Sequence, residues 1–94
     1  MVNVYVRHRI QDYTIWKQVF DGFASKRRAG GEQTYKVTRV VGEPNNLCLS
    51  FEWDNVANAQ RFLASPELAN AMQQATVAER PDIHIAEEVA SGKT

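Results

Sequence analysis

Apolar and polar residues alternate from Val2 to Ile10. Val2, Val4, Val6, His8 and Ile10 share one side, and Asn3, Tyr5, Arg7 and Arg9 share the other. A period of two carried by β-branched residues predicts a strand. Asp12 then offers an N-cap, and the period changes to 3.6. Tyr13, Trp16, Val19, Phe20, Phe23 and Ala24 form one stripe, opposed by Lys17, Gln18, Asp21, Ser25 and Arg28. The spacing predicts one helix running to Gly30-Gly31, with Lys26, Arg27 and Arg28 at its negative end and Gly22 inside it. Thr34 to Val41 reads as a second strand, and Gly42 to Asn46 as a turn. Leu47 to Trp53 reads as a third strand, antiparallel to the second because the connection is short. Asp54 or Asn55 caps a second helix that carries Val56, Ala59, Phe62 and Leu63 inward. Ser65-Pro66-Glu67 restarts this helix, and Leu68, Ala71, Met72 and Ala75 extend its apolar stripe. Thr76 to Asp82 reads as a loop and Ile83 to Val89 as a fourth strand.

The order strand–helix–strand–strand–helix–strand predicts an α+β, ferredoxin-like βαββαβ fold. Its four-stranded antiparallel sheet carries both helices on one face, with the first strand between the third and the fourth. The helix-covered face must be the apolar one, which assigns Val2, Val4, Val6, Val37, Leu47, Leu49, Phe51, Ile83 and Ile85 to the core. The opposite face carries Asn3, Tyr5, Arg7, Arg9, Thr34, Lys36, Thr38, Cys48, Ser50, Glu52, His84, Ala86 and Glu88. That face is either a solvated surface or the wall of a ligand chamber. Residues 1–89 are expected to form one domain, followed by a frayed tail at residues 90–94.

Composition narrows the function classes. Eleven basic residues balance eleven acidic ones, so no field of one sign is available for a nucleic-acid backbone. No stretch approaches the length of a membrane span, and no leader segment is visible. With a single cysteine no internal disulfide can form, which fits a reducing, cytoplasmic compartment. The closing Gly92-Lys93-Thr94 lacks the upstream glycine and the following helix of a phosphate-binding loop. A chain of 94 residues buries only roughly 60–65% of its unfolded surface, so pairing with a second copy is expected.

Several segments together resemble the dimeric α+β barrel superfamily, and within it the antibiotic-biosynthesis-monooxygenase-like and small cyclase-like members. They are Val4-Tyr5-Val6-Arg7-His8-Arg9, Asp12-Tyr13, Trp16-Lys17, Phe51-Glu52-Trp53-Asp54 and Ala64-Ser65-Pro66-Glu67-Leu68. The resemblance covers residues 2–89. It implies a homodimer in which two sheets face each other and each polar face lines a barrel. It also implies chemistry on a small aromatic or polyketide-like ligand, as a cofactor-independent monooxygenase or a cyclase/isomerase. Haem-degrading relatives carry a histidine on the second helix, where Leu68 to Ala75 has none. No flavin or nicotinamide loop is present, so no cofactor is expected. A non-catalytic ligand-binding or stress-associated dimer is the alternative.

His84 is the acid–base candidate, because an unperturbed imidazole titrates near neutrality. It shares a face with Tyr5, Arg7, Arg9, Ser50, Glu52 and Glu88, which are the expected ligand-binding residues. Arg7 and Tyr5 would stabilise developing oxyanion charge, and Arg7 is expected to pair with Glu52, Glu88 or an anionic ligand. The competing reading of His84 is a surface histidine in an ion-pair network. His8 reads as a hydrogen-bonded packing residue, and Cys48 as a small buried thiol. Arg27 reads as a stem that packs beneath a solvated head, with an anion clamp as the alternative. Trp16 and Trp53 have core periodicity. The two histidines fall on opposite faces, so no metal site is expected.

Overall fold

A computed structural model describes residues 2–94. Met1, with which the expected domain begins, lies outside the described residues. The chain runs β1 (Val2–Arg9), α1 (Tyr13–Gly22), α2 (Ala24–Gly30), β2 (Glu32–Arg39), β3 (Asn46–Trp53), α3 (Val56–Leu63), α4 (Pro66–Gln74) and β4 (Asp82–Glu87). One antiparallel sheet has the order β2-β3-β1-β4, which places β1 in its interior as the α+β, ferredoxin-like reading requires.

Local chemistry sets the helix starts. Asp12 Oδ1 accepts the Ile15 N–H at 3.0 Å, Asn55 Oδ1 accepts that of Asn58 at 2.8 Å, and Ser65 Oγ accepts that of Leu68 at 3.3 Å. Each satisfies a backbone donor that the first helical turn leaves unpaired. Gly31, at φ 128°, ends α2, and a Cβ there would overlap the Asp54 carboxylate. Thr76 also has positive φ, at 63°, which costs a β-branched residue energy. Its hydroxyl accepts the N–H groups of Gln11 and Asp12, so the strained residue ties the start of α1 to the loop before β4.

The structure departs from the sequence reading at four places. The first helix is broken at Phe23, whose N–H is shared between the carbonyls of Val19 and Phe20 at 3.1 and 3.2 Å. That tightened turn follows Gly22, a weak helix former, and Phe23 packs against Phe62. The second strand begins at Glu32 and stops at Arg39, leaving Val41 fully exposed. A bulge between Glu32 and Thr34 explains the early start: Glu32 faces Trp53, yet Thr34 faces Glu52, so one extra residue lies between them. The fourth strand ends at Glu87, which puts Glu88 and Val89 outside the sheet. Among the described residues its only neighbour is β1, and that ladder runs to Val2 opposite Glu87.

The core lies between the sheet and the helices. Val2, Val4, Val6, Leu47, Leu49 and Phe51 are buried as expected, whereas Val37, Ile83 and Ile85 are half-buried because β2 and β4 are the edges. Trp16 stacks on Phe20 at 4.8 Å, and Trp53 meets Phe62 at 5.1 Å, so both tryptophans pack in the core. No described helix is long and apolar enough to cross a membrane.

Strand parity makes a direct prediction. Phe51→Ala should destabilise the protein by about 3–5 kcal/mol in urea unfolding, the cost of truncating a large buried aromatic. Ser50→Ala, on the opposite face, should cost less than about 1 kcal/mol. Equal losses would reverse the assignment of faces.

Candidate functional site

Register brings part of the expected residue set together on the outer face of the sheet. Tyr5 lies directly between Ser50 on β3 and His84 on β4. Arg7, two residues along β1, lies between Cys48 and Asp82. Tyr5, Arg7, Ser50 and His84 line one groove of about 510 Å³ together with Thr38, Cys48 and Asp82. Tyr5 and His84 are exposed, and Ser50 and Cys48 are half-buried, so the thiol is less enclosed than expected.

The other expected residues fall elsewhere. Glu52 sits one row along, where it accepts the Thr34 hydroxyl at 2.7 Å. Arg9, near one end of β1, reaches Glu43 at 3.4 Å and Glu79 at 3.7 Å. Glu88, beyond β4, is exposed. Arg7 does not pair with Glu52 or Glu88. Its Nε and Nη2 donate to Asp82 Oδ2 at 3.1 and 2.8 Å, and its Nη1 donates to Asn46 Oδ1 at 3.1 Å. The partner is Asp82 because antiparallel register sets that residue beside Arg7 across the β1–β4 ladder. The guanidinium is thereby engaged within its own chain.

A second space lies on the other side of the sheet. A cavity of about 90 Å³ separates the inner faces of β1 and β3 from the helices. Its walls are almost entirely apolar: Val4, Val6, Leu49 and Phe51 from the sheet, Trp16, Phe20 and Phe23 from the first helical pair, and Leu68 and Met72 from α4. Three titratable side chains reach it, namely His8, Arg27 and Glu32. None belongs to the expected site set.

His8 is 5% exposed, and neither Nδ1 nor Nε2 has a hydrogen-bond partner. The hydrogen bond expected of a packing histidine is absent. Its ring meets Trp16 edge-on at 5.9 Å. Burial, with a smaller contribution from the Arg7 charge next to it, lowers the His8 pKa from 6.5 to about 4. The imidazole is therefore neutral at pH 7. A buried donor and acceptor left unpaired cost about 1–3 kcal/mol. His8 thus carries unmet hydrogen-bonding capacity on a largely apolar wall, which makes it a candidate site residue.

Arg27 departs from its expected solvated head. Its side chain is 7% exposed and that of Glu32 is 10% exposed, with Nε between the two carboxylate oxygens at 3.0 and 3.1 Å. Nη1 donates to the Phe20 carbonyl, and the guanidinium lies 3.7 Å from the Phe20 ring centroid. The bulge at Gln33 inverts strand parity and turns Glu32 inward to meet it. Burial pushes the Glu32 carboxyl up, against the opposing pull of Arg27. Among the described residues no group of three His, Cys, Asp or Glu is placed to hold a metal ion.

No family model and no curated protein sequence matches the chain. Solved structures do. The cofactor-independent oxygenase SnoaB from Streptomyces nogalater superposes with a TM-score of 0.79 at 14% identity, over 96% of this chain and 94% of that one. The chain has the antibiotic-biosynthesis-monooxygenase fold. A structure described as an antibiotic biosynthesis monooxygenase matches at TM-score 0.73 and 15% identity, over 96% of this chain and all of the other. A Deinococcus radiodurans protein named as a candidate member matches at 0.75 and 19%, over 100% and 98%. At such identities the likeness concerns the fold, and the resemblance read from the strand and helix segments holds at that level.

The neutral state of His8 predicts a pH dependence. The unfolded chain takes up a proton on His8 below about pH 6.5, whereas the folded chain resists it down to about 4. Stability should therefore be complete above this window and fall as pH drops through it, by about 3 kcal/mol. His8→Leu removes the effect. Urea unfolding at pH 7.5 and 4.0 should show a smaller acid loss for the variant than for wild type, and equal losses would mean that His8 is not held neutral by burial.

Proposed function

We propose that the protein handles a small phenolic or enolic substrate in the cavity between sheet and helices, as a cofactor-independent monooxygenase with His8 as the proton acceptor. The observation that carries this reading is a histidine 95% buried at an apolar cavity with both ring nitrogens unpaired. A neutral imidazole is free to take the substrate's hydroxyl proton. The positive charge it gains is unfavourable in that setting until the substrate anion forms beside it, so proton transfer and ion pairing support each other. The resulting electron-rich anion reduces dioxygen: one oxygen atom enters the ring as a carbonyl, and the other leaves as water with the hydroxyl proton and the hydrogen displaced from that carbon, so the substrate itself supplies the electrons and ends as a quinone. The apolar walls exclude competing water. About 90 Å³ is less than the roughly 150 Å³ of an engineered cavity that accepts benzene, which limits the substrate to at most a single ring and disfavours a polyketide-like fused system. The shared fold with SnoaB, described as a cofactor-independent oxygenase, is consistent with this chemistry.

The same reading includes a homodimer formed outer face to outer face. A chain of this size gains burial by pairing, and the outer face presents charged and hydroxyl groups that a facing copy can satisfy. Light scattering should give about twice the 10.6 kDa chain mass; a monomer at micromolar concentration would remove the barrel.

One observation favours a second site. The Ser50–Tyr5–His84 row beside Arg7 makes a groove of 510 Å³, within the range of drug-sized pockets. In a dimer this groove becomes the lumen, with His84 as base. Oxygen uptake on a panel of phenols and quinols separates the two sites. His8→Leu should lose turnover by at least about 100-fold, the size of a general-base contribution, and His84→Ala should keep it. The opposite pattern moves the chemistry to the lumen. Saturable binding without turnover of any compound assigns a ligand-binding dimer instead.

A further inference from the structure

Ion pairing by itself gives the Arg27–Glu32 pair little stabilising purpose. Buried ion pairs are often no more stable than apolar residues of the same volume, because desolvation offsets their attraction. This pair also requires a bulge in β2, which interrupts the ladder to turn Glu32 inward. Two separate features thus hold charge in a cavity that would be better filled with carbon. Moreover, Arg27 is only partly engaged. Nε is taken by Glu32 and Nη1 by the Phe20 carbonyl, while Nη2 makes no hydrogen bond among the described residues. Arg27, Phe20, Trp16 and His8 form a continuous stack at the cavity: the guanidinium lies on Phe20, Phe20 stacks on Trp16, and Trp16 meets His8 edge-on. One polar pole stands at each end of an aromatic surface.

We propose that the cavity selects organic acids, an aromatic or enolic ring carrying a carboxylate that Arg27 receives, with the ring held in the apolar space beside the guanidinium. The inference rests on the cavity being the ligand site and adds the substrate class. Glu32 keeps the guanidinium oriented and the empty cavity near neutral charge. Its only charged partner among the described residues is Arg27. Burial pushes its carboxyl up, so Glu32 takes a proton more readily than an exposed glutamate when a second anion arrives. The planar guanidinium, already stacked, loses little freedom in gripping a planar carboxylate.

Isothermal titration with benzoate, its neutral isostere benzamide, and phenol tests this. Wild type should bind benzoate about tenfold or more tightly than benzamide, the usual worth of a charge-assisted hydrogen bond. Arg27→Met alone strands a buried carboxylate, so the informative variant is the double replacement Arg27→Met with Glu32→Leu, which leaves no unpaired charge. It should fold, retain phenol and benzamide affinity, and lose the benzoate preference. Equal binding of benzoate and benzamide by wild type, or a preference that survives in the double variant, overturns the assignment of Arg27 while phenol binding leaves the cavity reading standing. Phenol binding that is unchanged in His8→Leu, or absent altogether, removes the cavity as the ligand site and this inference with it.

Discussion

The inward and outward alternation of β1 is the constraint on which the rest of the structure depends. This strand lies inside the sheet, hydrogen-bonded to β3 on one side and β4 on the other. Val2, Val4, Val6 and His8 are buried beneath the helices, while Tyr5 and Arg7 face the opposite way. A slip of one residue would carry the valines into water and the arginines into the core. Both spaces that could hold a ligand are therefore bounded by alternate residues of one eight-residue strand.

Energetics distinguish the two spaces. On the outer face the polar groups are exposed or already matched: Arg7 to Asp82 and Asn46, Glu52 to Thr34, Arg9 to Glu43 and Glu79. Groups that are satisfied or in contact with water carry little latent energy. Inside, by contrast, His8 has no partner and Arg27 and Glu32 have been drawn out of water. An apolar interior amplifies every charge and every unmade hydrogen bond. Hence unmet hydrogen-bonding capacity and desolvated charge are concentrated on the inner side of the sheet.

Much of the architecture was determined by the sequence on its own. Period two at Val2 to Ile10, period 3.6 after Asp12, the caps at Asp12, Asn55 and Ser65, and the turn chemistry around Gly42 are local signals, and local hydrogen bonding obeys them. The order of elements then leaves one sensible sheet, and its polar and apolar faces follow from alternation. Partners were decided by the tertiary structure. Arg7 and Asp82 are 75 residues apart and meet only because β4 pairs with β1 in one register. Alternation also placed His8 inward, but whether a buried imidazole finds a hydrogen bond depends on the residues that other elements bring to it. Most of all, Glu32 faces the core because a single extra residue at Gln33 reverses the parity of β2, and an insertion in a ladder is visible only against the opposing strand. Periodicity reports which way a side chain points relative to its neighbours in the chain. What it points at is fixed by the distant segments that fold against it.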